Sequence, residues 1–247
     1  MGTNTDAVKE LEPAPGKTGL WEDFVDIFYA PSSVFERRAE GKFGVPLLIF
    51  IVAAVILFFL TKNLMQPIMD GEFTRNTAAA MRKNPNLTAE QMAAGRGFFE
   101  KMAPVFIAVV LTITVLGTGV VLWLVGKLFD AKESVAAAIT IAVYAEVPRL
   151  VQFLVNGAQA LVMNPDNLTA TNSVGLNLAR FMDPDKTSPI LIALGARVDV
   201  FTIWITVLLA IGIHVLGKIP KQQAYITAFI VWIVGALPAL LGALRAA

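Results

Sequence analysis

The most informative absences in this sequence of 247 residues are those of cysteine and of charge. Without cysteine, the chain has no disulfide framework, no thiolate metal site and no thiol nucleophile. Charged residues make up 16% of the chain, whereas soluble domains carry about 25%. Much of the surface is therefore expected to face something other than water. The formal net charge of +1 gives no electrostatic indication of nucleic-acid binding.

The sequence patterns of common catalytic and cofactor sites are also missing. The chain has one histidine, His214, which leaves it without a second histidine for an HExxH zinc motif. It has no Walker loop, no GxGxxG motif after a strand and no GxSxG motif. No cluster of carboxylates resembles a metal cage. We therefore expect no enzymatic activity, no cofactor, no metal and no identifiable small-molecule substrate.

What the chain does contain is five apolar segments close to the length of about 20 residues that a helix needs to cross a bilayer. They cover residues 44–60, 103–126, 134–156, 198–216 and 224–244. A soluble helical bundle is disfavoured, because helices that are apolar on all sides are rare in small soluble cores. The sequence predicts an all-α integral membrane protein with five transmembrane helices. Since the third and fourth segments contain charged residues, four spans with one re-entrant segment is the alternative.

The residues before the first span divide into a tail and two short helices. Residues 1–19 are polar and are predicted to form a disordered cytoplasmic tail, and residues 20–247 a single membrane domain. Residues 20–29 give one aromatic helical face, with Asp23 and the other acidic residues mostly opposite, and Pro31 is typical of the first turn of a second helix. Such amphipathic helices either lie in the membrane interface or pack on the other helices, and both arrangements remain open.

The distribution of basic residues predicts an orientation. In a layout with five spans, three basic groups fall on one side: Arg37, Arg38 and Lys42; Lys127 and Lys132; Lys218 and Lys221. The other side holds two long loops, residues 62–102 and 157–197, and in the first loop Thr88 begins a helix that is predicted to end near Met102. Basic residues concentrate on the cytoplasmic side. We therefore expect the amino terminus in the cytoplasm and the carboxyl terminus outside.

Ionisable residues inside the predicted spans are the main candidates for function, because they are costly in a bilayer. Glu146 and Arg149 share one face of the third span, and Pro148 between them is expected to kink the helix. Asp199 lies near the outer end of the fourth span, at a depth close to that of Arg149. We expect Arg149 to pair with Asp199 or with Glu146. Such a pair either fixes the helix register only, forms part of a proton or ion pathway, or binds a lipid headgroup or a partner.

Three patches of sequence share an order and a spacing that are familiar from one family. They are FxDIFxAPSxVF in residues 24–35, YAxxP in residues 144–148, and DxFxxW in residues 199–204 with its continuation to Gly212. Together they resemble the Yip-domain family of multi-span membrane proteins, named for interaction with Ypt/Rab GTPases, and specifically its bacterial branch. The positions that carry the resemblance are Asp26, Phe28, Pro31, Tyr144, Pro148, Phe201, Trp204 and Gly212.

The resemblance implies a membrane domain of five helices with a cytoplasmic amino terminus. Eukaryotic members of that family act in vesicle traffic through Rab binding and through homo- or hetero-oligomers. This sequence lacks the Asp-Leu-Tyr-Gly-Pro motif of the eukaryotic members, so the GTPase role is not carried over. Fold and location are therefore better defined by the resemblance than mechanism is.

Two functional hypotheses follow. The first is a non-enzymatic scaffold or accessory protein in the lipid bilayer of a bacterial inner membrane, which binds other membrane proteins or itself and is related to trafficking or to an exporter. The second is a small transporter or lipid-handling protein built around Glu146, Arg149 and Asp199. A continuous polar cavity that reaches these residues would favour the second hypothesis. A closed bundle with an exposed apolar groove would favour the first.

Overall fold

The computed structural model describes residues 19–164, 167–168 and 170–246. The predicted tail, residues 1–19, lies almost wholly outside the described residues. Within the described ranges the chain forms α-helices and short 3-10 turns, with no β-strand. The helices in chain order are α1 (Leu20–Asp26), α2 (Pro31–Arg37), α3 (Gly44–Thr61), α4 (Gln66–Lys83), α5 (Ala89–Lys127), α6 (Val135–Ala145), α7 (Pro148–Val162), α8 (Pro189–Arg197), α9 (Val200–Gly217), α10 (Lys221–Val234) and α11 (Leu237–Ala246).

Five helical segments in the described ranges are long and apolar enough to cross a membrane. They are Gly44–Thr61, Glu90–Lys127, Val135–Val162, Val200–Gly217 and Lys221–Arg245. Each overlaps one of the five spans that the sequence predicts. The all-α integral membrane fold with short helices before the first span is therefore confirmed.

The second span differs from the prediction because it is part of a much longer helix. The capping box of Thr88 and Gln91 is present, but the helix that it begins does not end near Met102. It continues through Pro104 to Lys127 as 39 residues, about 58 Å in length. At residue 103 the sequence changes from polar to apolar, so the surroundings of the helix change from water to lipid. The backbone stays helical across this change. Pro104 is tolerated, as prolines commonly are in membrane helices.

The last two spans also differ at their ends. The fourth begins at Val200 with Asp199 as its N-cap, so Asp199 lies just before the helix and not inside it. The fifth begins at Lys221 and is interrupted between Val234 and Leu237. A proline at position 238 follows this interruption, as expected for a residue that is favoured in the first turn of a helix.

The centre of the bundle is α6, in which every residue from Ala137 to Ala145 is buried. Two glycines allow its neighbours to approach. A Cβ atom added at Gly119 of α5 would lie 2.6 Å from the Cα atom of Ile139, and one at Gly212 of α9 would lie 2.3 Å from Cγ2 of Ile141. Small residues at such crossings let helix backbones come into van der Waals contact, which is a main source of packing energy in membranes.

The two amino-terminal helices pack on this bundle. The rings of Phe28 and Trp204 meet edge to face with centroids 5.3 Å apart, and Phe24 meets Tyr144 at 5.7 Å. Of the two arrangements that the sequence left open, packing on the other helices is therefore observed for the aromatic face. Trp21 keeps 70% of its side chain exposed, and this leaves an apolar contact for the membrane interface as well.

The predicted polar face of α1 is wrong at Asp23, because the side chain of Asp23 is completely buried. Its carboxylate accepts hydrogen bonds from Arg37 Nε and Nη2 at 3.0 and 2.7 Å, and from Arg38 Nε at 2.5 Å. Two guanidinium groups thus compensate the cost of removing one carboxylate from water. Both come from the segment at the end of α2, so the network joins α2 to α1.

The bundle has a proximal and a distal side. The proximal side is where α5 ends and α6 begins, and the distal side is where α3 ends and α4 begins. On the distal side the end of α4 meets the end of α11, where Lys83 Nζ donates to the carbonyl of Arg245 at 2.8 Å.

Candidate functional site at the break in the third membrane helix

The third span is interrupted at its middle, where α6 ends at Ala145 and α7 begins at Pro148. Proline has no N–H to donate to the preceding turn, so one helical hydrogen bond is lost here. Glu146 is the C-cap of α6, and its backbone carbonyl accepts from the Arg149 N–H at 2.9 Å. The predicted kink is therefore a break between two helices. The span also continues to Val162, beyond the predicted end at residue 156, where Gly157 allows close contact with Thr61 of α3.

Glu146 and Arg149 form an ion pair across this break. Arg149 Nε donates to Glu146 Oε2 at 2.5 Å, and Nη2 donates to Oε1 at 3.4 Å. Glu146 is buried, whereas Arg149 keeps 27% of its side chain accessible. Of the two predicted pairings, the one with Glu146 is thus present. A paired carboxylate and guanidinium offset each other's cost of burial.

Asp199 does not contact Arg149 directly. Gln152 connects them, since its Oε1 accepts from Arg149 Nη1 at 3.3 Å and its Nε2 donates to Asp199 Oδ1 at 3.2 Å. The same Oδ1 also caps α9 by accepting from the N–H groups of Phe201 and Thr202, at 2.9 and 3.1 Å. Asp199 Oδ2 is buried and has no hydrogen-bond partner among the described residues. Asp199 is therefore mainly the N-cap of α9, with one oxygen unused.

Arg197 lies beside this cluster, and sequence reasoning did not single it out. Its Nε and Nη2 both donate to the backbone carbonyl of Trp232, at 3.1 and 2.6 Å. That carbonyl lacks its usual helical donor, because the N–H of Ala236 donates to Ile233 instead. Burial and, to a lesser degree, the positive charge of Arg149 lower the pKa of Arg197. The one sequence signal was the proline at position 238. Because proline has no N–H and disrupts the preceding turn, carbonyls near it need another donor.

The positions that resemble the Yip-domain family are brought together by the fold. Tyr144 and Phe201 are buried, and Trp204 packs on Phe28. Pro31 lies in the first turn of α2, and Asp26 accepts hydrogen bonds from Tyr29 Oη and from Arg37 Nη2. The hydrogen bond from Tyr29, together with that from Arg37, lowers the pKa of Asp26. These positions hold α1 and α2 against α6 and α9.

A family model for the Yip1 domain matches residues 25–242, which is most of the chain. The chain belongs to the Yip1-domain family. No curated protein and no solved structure matches it significantly.

Two cavities stand out in the described part of the Yip1-domain protein, and neither of these two is lined by Glu146, Arg149 or Asp199. The larger one, which we call the distal groove, has a volume of about 840 Å³ and lies between α3, α4, α5 and α7. Its apolar wall includes Phe58, Met69, Phe99, Phe106 and Phe153. The smaller one, about 660 Å³, lies on the proximal side and is lined by Glu36 and His214 among others. Among the described residues no group of three side chains is placed to hold a metal ion.

Glu133, in the turn between α5 and α6, is a second buried acid that sequence reasoning missed. Neither of its carboxylate oxygens has a hydrogen-bond partner among the described residues, and the nearest cation, Lys127 Nζ, lies 3.9 Å from Oε1. Gly126 and Gly217 provide its space, since a Cβ atom at either would lie within about 3 Å of a carboxylate oxygen. Burial raises the pKa of Glu133. The only sequence signal for this buried acid was the pair of glycines, Gly126 near the end of α5 and Gly217 at the end of α9.

Proposed function

We propose that this Yip1-domain protein is a non-enzymatic membrane scaffold or accessory protein that binds other membrane proteins or further copies of itself. The observation that carries the proposal is that the polar cluster makes most of its contacts within itself and with helix ends. Glu146 is paired with Arg149, and one oxygen of Asp199 caps α9 and is held by Gln152. Paired ionisable residues occur in transport pathways as well as in structural contacts, and here each pair lies between helix ends. The charges therefore serve to join α7, α9 and the break between α6 and α7.

The outward faces of the spans offer the surface for such binding. On α5, for example, Val109, Ile113 and Val120 are exposed, and Gly117 has no neighbouring atom within 4 Å of the position of a Cβ. In a bilayer, helices associate by van der Waals packing at surfaces of this kind. The surface thus fits partners that are themselves membrane helices.

A transporter or lipid-handling protein that uses Glu146, Arg149 and Asp199 is the second candidate. It is favoured by one observation, the buried and unsatisfied Oδ2 of Asp199. Buried polar atoms without a partner are rare, and a bound ion or water would satisfy this one. The pairing of Glu146 with Arg149 and the capping of α9 by Asp199 Oδ1 support the first candidate.

We place the protein in a bacterial inner membrane, with the amino terminus in the cytoplasm and a role related to trafficking or export. The absence of the Asp-Leu-Tyr-Gly-Pro motif supports the bacterial assignment. The basic residues at the proximal turns, such as Lys132 and Lys218, support a cytoplasmic proximal side.

Mild cross-linking in native membranes, followed by affinity purification and mass spectrometry, tests the scaffold role. We expect another membrane protein at a constant molar ratio in independent preparations, or a defined oligomer of this chain. The double variant Glu146→Gln with Arg149→Gln serves as the control, since it removes both charges and leaves the outer surface intact. Recovery of the protein as a monomer without a partner would contradict the proposal and favour the transporter.

A further inference from the structure

The distal groove continues from the lipid-facing part of the bundle to the water-facing part. Its deeper end is formed by Phe58, Phe106 and Phe153, which belong to the spans. Its other end is formed by polar residues of α4 and α5, among them Asn76 and Gln91. On α5 the lining extends from Gln91 to residue 107, about 24 Å along the helix. This length is comparable to one leaflet with its headgroup region, about 20–22 Å, but only the part from residue 103 onwards lies level with the apolar span.

The groove is lined by two acidic and two basic residues, and one of the basic residues has no acidic partner among the described residues. Glu72 pairs with Arg75 and accepts from Thr171, and Glu100 shares Arg96 with Asp70. Lys62, at the level where α3 ends, has no carboxylate within salt-bridge distance in the described part of the chain. Its Nζ lies 5.4 Å from the centroid of the Phe59 ring, so Lys62 is a cation with an aromatic neighbour and no carboxylate partner at the depth of the phospholipid headgroups.

The wall of the groove is suited to a flexible hydrocarbon chain. Phenylalanine side chains form much of it, and Met65, Met69 and Met92 add unbranched side chains that adapt to the shape of what they contact. The volume of about 840 Å³ lies in the upper part of the range for ligand sites in proteins. Because the deeper end lies at the level of the hydrocarbon, acyl chains have direct access to it.

We propose that the distal groove binds one acyl chain of an anionic phospholipid, with the headgroup at Lys62. The site is separate from the polar cluster and independent of the proposed scaffold role, since membrane partners bind the outer faces of the spans. The bound acyl chain leaves the leaflet along α5, and α4 shields it from water.

Two glycines of α5 provide a matched pair of variants. Gly95 lines the groove and Gly97 does not, and a Cβ atom would meet no neighbour within 4 Å at either position. Gly95→Leu therefore fills the groove, whereas Gly97→Leu adds the same side chain to the same helix outside it. Both replace glycine by a better helix former, so neither variant is expected to unfold.

Native mass spectrometry of the purified protein, released from nanodiscs of phosphatidylcholine and phosphatidylglycerol, tests the proposal. We expect a bound phosphatidylglycerol in the wild type and in Gly97→Leu, and at least a fivefold loss in Gly95→Leu. Lys62→Gln is expected to lower the ratio of bound phosphatidylglycerol to bound phosphatidylcholine by a factor of about three or more. Equal lipid retention by Gly95→Leu and Gly97→Leu would overturn the proposal. The proposal would also be overturned if the wild-type groove held a peptide, a free fatty acid or a second copy of this protein, and if that occupant were lost in Gly95→Leu and kept in Gly97→Leu.

Discussion

The ion pairs of this protein join residues at very different separations along the chain. Glu146 and Arg149 are three residues apart, so their pairing was predictable from helix geometry. The burial of Asp23 was not, because its partners Arg37 and Arg38 come from the end of a different helix. The contact of Arg197 with the carbonyl of Trp232 joins segments 35 residues apart and depends on how α8 meets α10. Local spacing therefore predicts local pairs only.

Asp23→Ala tests whether its arginine network joins α1 and α2. The change leaves two guanidinium groups without their buried acceptor, which costs about 3 kcal/mol, since removing one partner of a buried pair is strongly destabilising and the arginines are partly exposed. We expect a clearly lower melting temperature in detergent. Glu36→Gln is the control, because Glu36 is exposed on α2. Equal melting temperatures of the two variants would contradict the role of Asp23.

Glu133 gives a prediction about pH. Burial raises its pKa above the usual value of 4.5, so the folded state binds the proton more tightly than the unfolded chain does. Ionisation of Glu133 therefore lowers the free energy of unfolding as the pH rises through the raised pKa. We expect Glu133→Gln to have a higher melting temperature than the wild type at pH 8, and the difference to narrow as the pH falls towards 4.5.

The matched control for the melting temperatures of Glu133→Gln is Glu40→Gln, since Glu40 is exposed and pairs with Lys42 at 2.5 Å. An exposed pair contributes at most about 1 kcal/mol. Its replacement should leave the melting temperature nearly unchanged at pH 8. A Glu133→Gln variant that is less stable than the wild type at pH 8, with the deficit disappearing towards pH 4.5, would show that the carboxylate is stabilising when ionised.

At the level of helices, the existence of the five spans could be predicted and their ends could not. Apolar length predicts a crossing, but α5 extends far outside the apolar segment because polar sequence can continue a helix. The third and fifth spans are each two helices, and a proline accompanies both interruptions. The sequence placed Pro148 correctly, yet it could not show that Glu146 and Val147 would separate two helices instead of bending one.

The contact between α6 and α9 depends on one glycine. Gly212→Ala would bring a Cβ atom to 2.3 Å from Ile141, and the overpacking is expected to cost about 1–3 kcal/mol. Gly117→Ala is the control, because the same methyl group on α5 meets nothing within 4 Å. Thermal unfolding in detergent should show a lower melting temperature for the first variant and an unchanged or higher one for the second. The reverse order would show that α6 and α9 do not pack as described.

For the whole molecule, the motif positions were predicted as a set and the fold explains why they belong together. Phe28, Tyr144 and Trp204 lie where the amino-terminal helices meet α6 and α9, which are distant in sequence, and Gly212 lies where α9 meets α6. The groove was not predictable, since it requires the position of α4 relative to α5 and α7. Residues that determine packing between distant segments thus leave a recognisable pattern, whereas a cavity between those segments does not.

The orientation in the membrane can be tested directly because the chain contains no cysteine. We expect Asn86→Cys on the distal side to react with a membrane-impermeant maleimide in intact cells. Glu40→Cys on the proximal side should react only after the membrane is permeabilised. Both positions are exposed in the structure, so access to the thiol depends on the side of the membrane alone. Labelling of Glu40→Cys in intact cells would reverse the proposed orientation.

Our proposal is that Glu146 and Arg149 maintain the fold while the function lies in binding membrane partners. Its most direct test is the molar ratio of partner to this protein in complexes cross-linked in native membranes, compared between the wild type, Arg149→Gln and the double variant Glu146→Gln with Arg149→Gln. We expect Arg149→Gln alone to lower protein yield, because it leaves Glu146 buried and unpaired, and the double variant to recover both the yield and the wild-type ratio. A double variant with normal yield and no partner would contradict the claim, as would a wild-type protein recovered only as a monomer.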